Sequence, residues 1–190
     1  KVLGAILVAL GRKSEAVDAN QTAVALSPTD AAAHSNLGNT LKELGRLAEA
    51  EASYNEAISL KPDFIEAHFN LGNTLQELGR LEEAEASYNQ SISLKPDFAE
   101  AHSNLGNTLK ELGRLEEAEA SFNLAIGLKP DLAEAHTNLG NTLKELGRLK
   151  EAEASYAQAI ELKPDFVEAK HMLAALLGKT TAIAPRDYVE

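Results

Sequence analysis

The sequence predicts an all-α solenoid of helical hairpins, and three observations predict it. The string AHSNLGNTLKELGRL around His34 returns at His68, His102 and His136 with small changes, a period of 34 residues. Segments 99–132 and 133–166 are identical at 27 of 34 positions. Within each copy apolar residues fall at helical spacing, as at Leu105, Leu109 and Leu112, and no segment alternates as a strand does. Glycine and proline then punctuate every copy at fixed places. A unit of this length cannot bury its apolar face alone, so it stacks on its neighbours.

The elements follow in order. A partial repeat occupies 1–30, and full repeats occupy 31–64, 65–98, 99–132 and 133–166. A lone helix follows at 167–178, and 179–190 is expected to be an exit linker. The opening KVLGAILVALGRK has the composition of a short secretory leader. The repeat register reads it instead as the tail of a helix. Leu3-Gly4, Leu7 and Gly11 fall on the marks of Leu37-Gly38, Leu41 and Gly45, and Ala16, Ala23 and Pro28 continue the match. Because the chain starts on Lys1 inside that helix, it is expected to be a fragment of a longer protein.

Repeat 99–132 shows the local logic. Asp97 with Glu100 is expected to form a capping box, as are Asp63 with Glu66, Asp131 with Glu134 and Asp165 with Glu168. Gly113 ends the first helix as a left-handed C′ residue. The second helix carries Leu115, Ala118, Phe122, Ala125 and Ile126, and Lys129 and Pro130 mark its end. The small residues Gly106, Ala118 and Ala125 let helices approach. Phe122, with Tyr54, Tyr88 and Tyr156 in the other copies, is expected to fill the gap between repeats.

Composition narrows the function. The formal net charge of −11 argues against a nucleic-acid partner, which needs clustered Lys and Arg. There is no Cys, which excludes disulfides and thiolate metal sites. No apolar run has the length of a membrane span. The expected location is cytoplasmic. His34, His68, His102 and His136 are one repeat apart, too far to share a metal ion whose bonds are about 2 Å long, and read as packing residues. Each Asp and Glu belongs to a cap or a solvated face, and no Ser has a base beside it. The chain is therefore read as a binding module and not an enzyme, with no cofactor and no metal.

In repeat 31–64, Leu37-Gly38, Leu41, Gly45, Leu47, Ala50, Tyr54, Ala57 and Pro62 fall at the offsets of the tetratricopeptide repeat. The chain resembles that family over almost its whole length. The resemblance implies a right-handed superhelical solenoid whose first helices line a concave, ligand-binding groove. Carried over residue by residue, the groove offsets are Glu66, Glu100, Glu134 and Glu168, then Ser35, Phe69, Ser103 and Thr137. Two asparagine rows follow, Asn36, Asn70, Asn104 and Asn138, and Asn39, Asn73, Asn107 and Asn141. Lys42, Gln76, Lys110 and Lys144 complete the lining, beside Glu43, Glu77, Glu111 and Glu145.

An Asn amide offers both a donor and an acceptor, so a row of them can pair with the main chain of an extended peptide. The row at Asn36, Asn70, Asn104 and Asn138 is similar to the asparagine ladder of O-linked N-acetylglucosamine transferases. The alternative is that these amides bond neighbouring helices. The family's carboxylate clamp is not expected, because Glu66, Glu100 and Glu134 stand where it needs a cation. The tail from His171 to Glu190 resembles the junction of bacterial proteins in which such an array precedes a methyltransferase domain. The expected partner is thus a peptide or a partner helix. That resemblance implies a parent in which the array is fused to a methyltransferase, with a glycosyltransferase or a free-standing scaffold as the alternative expectations. Val2, Leu3, Ile6 and Leu7 at one end and Met172, Ala174, Ala175, Leu176 and Leu177 at the other lead to an expectation of head-to-tail self-association.

Overall fold

The computed structural model describes residues 6, 7 and 10–183. Among these residues it contains ten α-helices and no strand. They are α1 (Lys13–Leu26), α2 (Ala31–Glu43), α3 (Leu47–Leu60), α4 (Ile65–Glu77), α5 (Leu81–Leu94), α6 (Ala99–Glu111), α7 (Leu115–Leu128), α8 (Ala133–Glu145), α9 (Leu149–Leu162) and α10 (Val167–Ile183). The expected all-α class of tandem helical hairpins holds. The chain forms two compact units, one up to Thr108 and one from Leu109. In the first, α2 pairs with α3 and α4 with α5, while α1 packs on α2 and α3 on α4. In the second, α8 pairs with α9, flanked by α7 and α10.

The turn inside each hairpin is built the same way. Leu44 closes α2, Gly45 adopts φ +72°, and two hydrogen bonds return to the helix end. Gly45 N–H donates to the Lys42 carbonyl at 2.8 Å, and Arg46 N–H to the Leu41 carbonyl at 2.9 Å. This is the Schellman pattern, and it needs a residue that tolerates the left-handed region. Gly79, Gly113 and Gly147 repeat it.

The core is built from alanines and one aromatic ring per hairpin. Ala50, Tyr54 and Ala57 of α3 are fully buried, as are Ala118, Phe122 and Ala125 of α7 and Ala152, Tyr156 and Ala159 of α9. Each tyrosine lies against a glycine in the first helix of its own hairpin. A Cβ on Gly38 would stand 2.7 Å from Tyr54 Cε1, one on Gly72 2.8 Å from Tyr88, and one on Gly140 2.6 Å from Tyr156. No real Cβ contact is that short, so the missing side chain is what admits the ring. The buried threonines Thr40, Thr74 and Thr142 satisfy their hydroxyls by donating to the carbonyls of Asn36, Asn70 and Asn138.

Two boundaries differ from expectation. The expected capping boxes at Asp63 and Asp131 do not form. The N-cap residues are Phe64 and Leu132, one position later, and neither makes a side-chain cap bond. The Pro-Asp pair is spent on the turn, where Phe64 N–H reaches back to the Lys61 carbonyl at 3.1 Å. Asp30, which holds the register of Phe64, does cap with its carboxylate, accepting from Ala32 N–H at 3.0 Å and Ala33 N–H at 3.4 Å. The last helix runs to Ile183, not to 178. Gly178 carries no stop signal of its own, and Pro185 is the first later residue in the sequence that cannot extend a helix. Val2, Leu3 and the linker from 184 onward lie outside the described residues.

The glycine contacts make opposite predictions for one substitution. Gly72→Ala should lower the melting temperature, because overpacking a core costs about 1–3 kcal/mol against a helix-propensity gain of about 1 kcal/mol. Gly127→Ala, with open space around its Cβ, should leave the melting temperature unchanged or raise it. Thermal unfolding followed by circular dichroism measures both.

Candidate functional site

The residues expected to bind a ligand lie on the first helices, and helical spacing aligns them. On α4, Glu66, Phe69, Asn70, Asn73 and Glu77 fall within one stripe. The same stripe on α2 carries Ser35, Asn36, Asn39, Lys42 and Glu43.

The structure distributes these side chains unevenly. Glu66 and Glu134 are exposed, and Glu100 is half-buried. Ser35 and Thr137 are buried, at 4 % and 1 % exposure, so they fill space beneath the face. Phe69 stands half-buried with its ring 4.7 Å from that of Phe98 and 5.9 Å from that of Tyr88. Lys42 reaches across to Glu77 of the next repeat, Nζ to Oε1 at 2.9 Å. Lys110 and Lys144 are half-buried in the last turns of their helices.

The two asparagine rows interlock in the first unit. Tyr54 Oη donates to Asn39 Oδ1 at 2.8 Å, and Asn70 Nδ2 donates to the same oxygen at 3.0 Å. One repeat on, Tyr88 Oη lies 2.7 Å from Asn73 Oδ1, and Asn104 Nδ2 donates to that oxygen at 2.8 Å. Tyr88 Oη also lies 3.0 Å from Gln76 Oε1, and its single proton serves the shorter contact. In the second unit Tyr156 Oη donates to Asn141 Oδ1 at 2.8 Å, and Asn138 is half-buried. Asn107 is half-buried, and Asn36 gives its main-chain carbonyl to Thr40 Oγ1 at 3.1 Å. The partial repeat differs, since Asn20 holds the register of Tyr54 and donates to Thr40 Oγ1 at 2.9 Å.

Sequence reading missed this tyrosine–asparagine link. The signal was a Tyr that follows an Asn by 15 residues in three copies, with Phe122 in the other. It also missed the histidine contact. His34, His68, His102 and His136 each bring Nε2 to the carbonyl of the proline six residues earlier, at 2.8, 2.8, 3.0 and 3.0 Å. A carbonyl only accepts, so Nε2 carries the proton. The ring thus satisfies a carbonyl of the inter-repeat turn, besides packing.

A third missed set is the arginine row. Arg46, Arg80, Arg114 and Arg148 open the second helices, and each pairs with the Glu three residues on, at 2.5–2.6 Å. The arginine hydrogen bonds hold Glu49, Glu83, Glu117 and Glu151 below the ordinary carboxylate range. Arg80 also binds Glu51 of the preceding repeat at 2.7 Å, and Arg148 binds Glu119 at 2.6 Å.

The repeat register and the hairpin fold find their match among known proteins. The TPR repeat profile matches residues 4–45, 38–79 and 73–113, and the tetratricopeptide repeat profile matches 97–165. The chain belongs to the tetratricopeptide repeat family. Its solved neighbours are tetratricopeptide arrays of similar size. The crystal structure of MamA is 22 % identical, with a TM-score of 0.79 over 85 % of this chain and 94 % of that one. YrrB, described as a TPR protein with an unusual peptide-binding site, is 23 % identical, with a TM-score of 0.74 over 88 % and 87 %. TTC0263, a thermophilic TPR protein of Thermus thermophilus, is 27 % identical, with a TM-score of 0.71 over 92 % and 95 %. No curated protein sequence matches it. No helix of this tetratricopeptide chain, among the described residues, is long and apolar enough to cross a membrane.

The tyrosine hydroxyls give a pH test. Burial first, then the nearby Glu145 and Glu168, push Tyr156 from 10.0 to about 12. Burial, with Glu77 and Glu43, raises Tyr54 as well. A folded-state value above the unfolded one means that the native state holds its proton longer. The stability is fully present below about pH 10 and is lost as pH rises through the folded value. Melting temperature should fall between pH 10 and 12, and less steeply in Tyr156→Phe. Thermal scans over that range check it.

Proposed function

We propose that the chain is a peptide-binding module whose first-helix face holds an extended segment of a partner protein by its main chain. The observation that carries this reading is the paired asparagine rows. Asn39 and Asn73 spend their carbonyl oxygens inside the protein, and their Nδ2 groups have no protein partner among the described residues. Asn70 and Asn104 spend one Nδ2 hydrogen and keep their carbonyl oxygens. A peptide main chain needs such a mixture of donors and acceptors. The two expectations for the asparagines are thus compatible, since bonding neighbouring helices uses only half of each amide. The description of YrrB as a peptide-binding TPR protein supports the same role for a relative of this architecture.

The test uses a peptide of about 12 residues selected from a random displayed library on the wild-type chain. Asn70→Ala with Asn104→Ala removes up to four hydrogen bonds at about 0.5–1.5 kcal/mol each. The affinity should drop on the order of 10-fold or more, with helix content unchanged. Titration calorimetry reads the first and circular dichroism the second. Equal affinity for both chains would refute the reading.

A further inference from the structure

The tyrosines of the core reach the proposed binding face. Tyr54 and Tyr88 are fully buried rings, yet their hydroxyls end on Asn39 and Asn73, which lie on the face itself. We infer that Tyr54 and Tyr88 are positioning residues for that face, each holding the amide of the following repeat, Asn70 or Asn104, through one shared carbonyl oxygen. This rests on the reading of the face as a peptide site.

The argument is one of hydrogen-bond capacity. An amide oxygen has two lone pairs. Asn39 Oδ1 receives Tyr54 Oη at 2.8 Å and Asn70 Nδ2 at 3.0 Å, which fills both. Asn39 Oδ1 is the acceptor of the Tyr54 hydroxyl proton among the described residues, so the hydroxyl donates there and turns the amide oxygen inward. The Nδ2 hydrogens of Asn39 then turn away from the tyrosine. Asn70 must offer a hydrogen to Asn39, and its own oxygen is left for a ligand. Asn73, Tyr88 and Asn104 repeat the chain at 2.7 and 2.8 Å. The face therefore presents donors from Asn39 and Asn73 and acceptors from Asn70 and Asn104 in a fixed order. Without the hydroxyl each amide could flip, and the order would be lost.

The ligand class follows. A segment that answers both donors and acceptors has free main-chain N–H and C=O groups and is extended. A proline-rich segment, which lacks N–H groups, is excluded.

The variant that tests this is Tyr54→Phe with Tyr88→Phe. It keeps the rings on Gly38 and Gly72 and removes only the hydroxyls. Phenylalanine is tolerated at this register, since Phe122 occupies it fully buried. The probe is the peptide selected on the wild-type chain, with a set of analogues in which single backbone amides are replaced by esters. Three results are expected. The side-chain amide resonances of Asn70 and Asn104 shift in the NMR spectrum, although each lies one repeat beyond the tyrosine linked to it, Tyr54 and Tyr88 respectively. Affinity for the peptide falls several-fold. The penalty for the most harmful ester shrinks in the Phe variant, which a purely structural role would not produce. Unmoved amide resonances, or unchanged affinity in the Phe variant while the Asn70→Ala, Asn104→Ala chain is weakened, overturns this inference and leaves the peptide-binding reading standing. Unchanged affinity in both chains overturns both.

Discussion

Much else in this chain depends on one close approach, that of a tyrosine ring to a glycine, made in three hairpins. With Gly38, Gly72 and Gly140 the two helices come so near that a single added carbon would stand 2.6–2.8 Å from the ring. Burying such a ring contributes about 1.5–3 kcal/mol, a large share of what one small repeat can gather. The alanines Ala50, Ala57, Ala84, Ala152 and Ala159, all fully buried, serve the same closeness. The approach also fixes where the ring ends. Its hydroxyl arrives at the asparagine 15 residues earlier, so one side chain closes the core and bonds the face.

Much of this was legible in the sequence, for a physical reason. The period, the Schellman glycines and the alanine seats are local or repeat-wide constraints, and each leaves its own residue type behind. The left-handed turn at Gly45 could be read from the letter alone, because few other residues accept φ +72°. What escaped depends on distance across the chain. The link from Asn39 to Asn70 spans 31 residues and that from Glu51 to Arg80 spans 29, and no window along the sequence contains either. The cap was misplaced by one residue because Pro62-Asp63 carries two local meanings, a turn and a helix start. The structure uses the first, and Asp30 shows where the true cap lies. The last helix runs five residues past 178 because Lys179 to Ile183, though they break the repeat pattern, include no residue that stops a helix.

The charged and neutral polar networks divide the work between two sides of each hairpin. The arginine pairs are solvent-exposed, with Arg80 and Arg148 about 40 % accessible. Exposed pairs of this kind contribute little to stability and are screened by salt. They serve chiefly to fix the angle at which a second helix starts, since the same guanidinium grips its own helix and the preceding repeat. The tyrosine–asparagine chains rest on a buried ring and gain from the lower dielectric beneath it.

A surface made of repeated amides cannot distinguish one stretch of main chain from another. Under the peptide-binding reading, selectivity must come from the positions that vary between copies. The offset that carries Ser35, Phe69, Ser103 and Thr137 varies most in size, and only Phe69 is aromatic there. Its ring is braced by Phe98 at 4.7 Å, and Lys95 Nζ lies 5.1 Å from the Phe98 ring on its own repeat. A braced, half-buried aromatic gives a ligand side chain a surface that does not move, so less entropy is lost on contact. Affinity and selectivity are thus assigned to different residues. On that reading the constant amides would hold any extended segment, and Phe69 would decide which segment sits at that place.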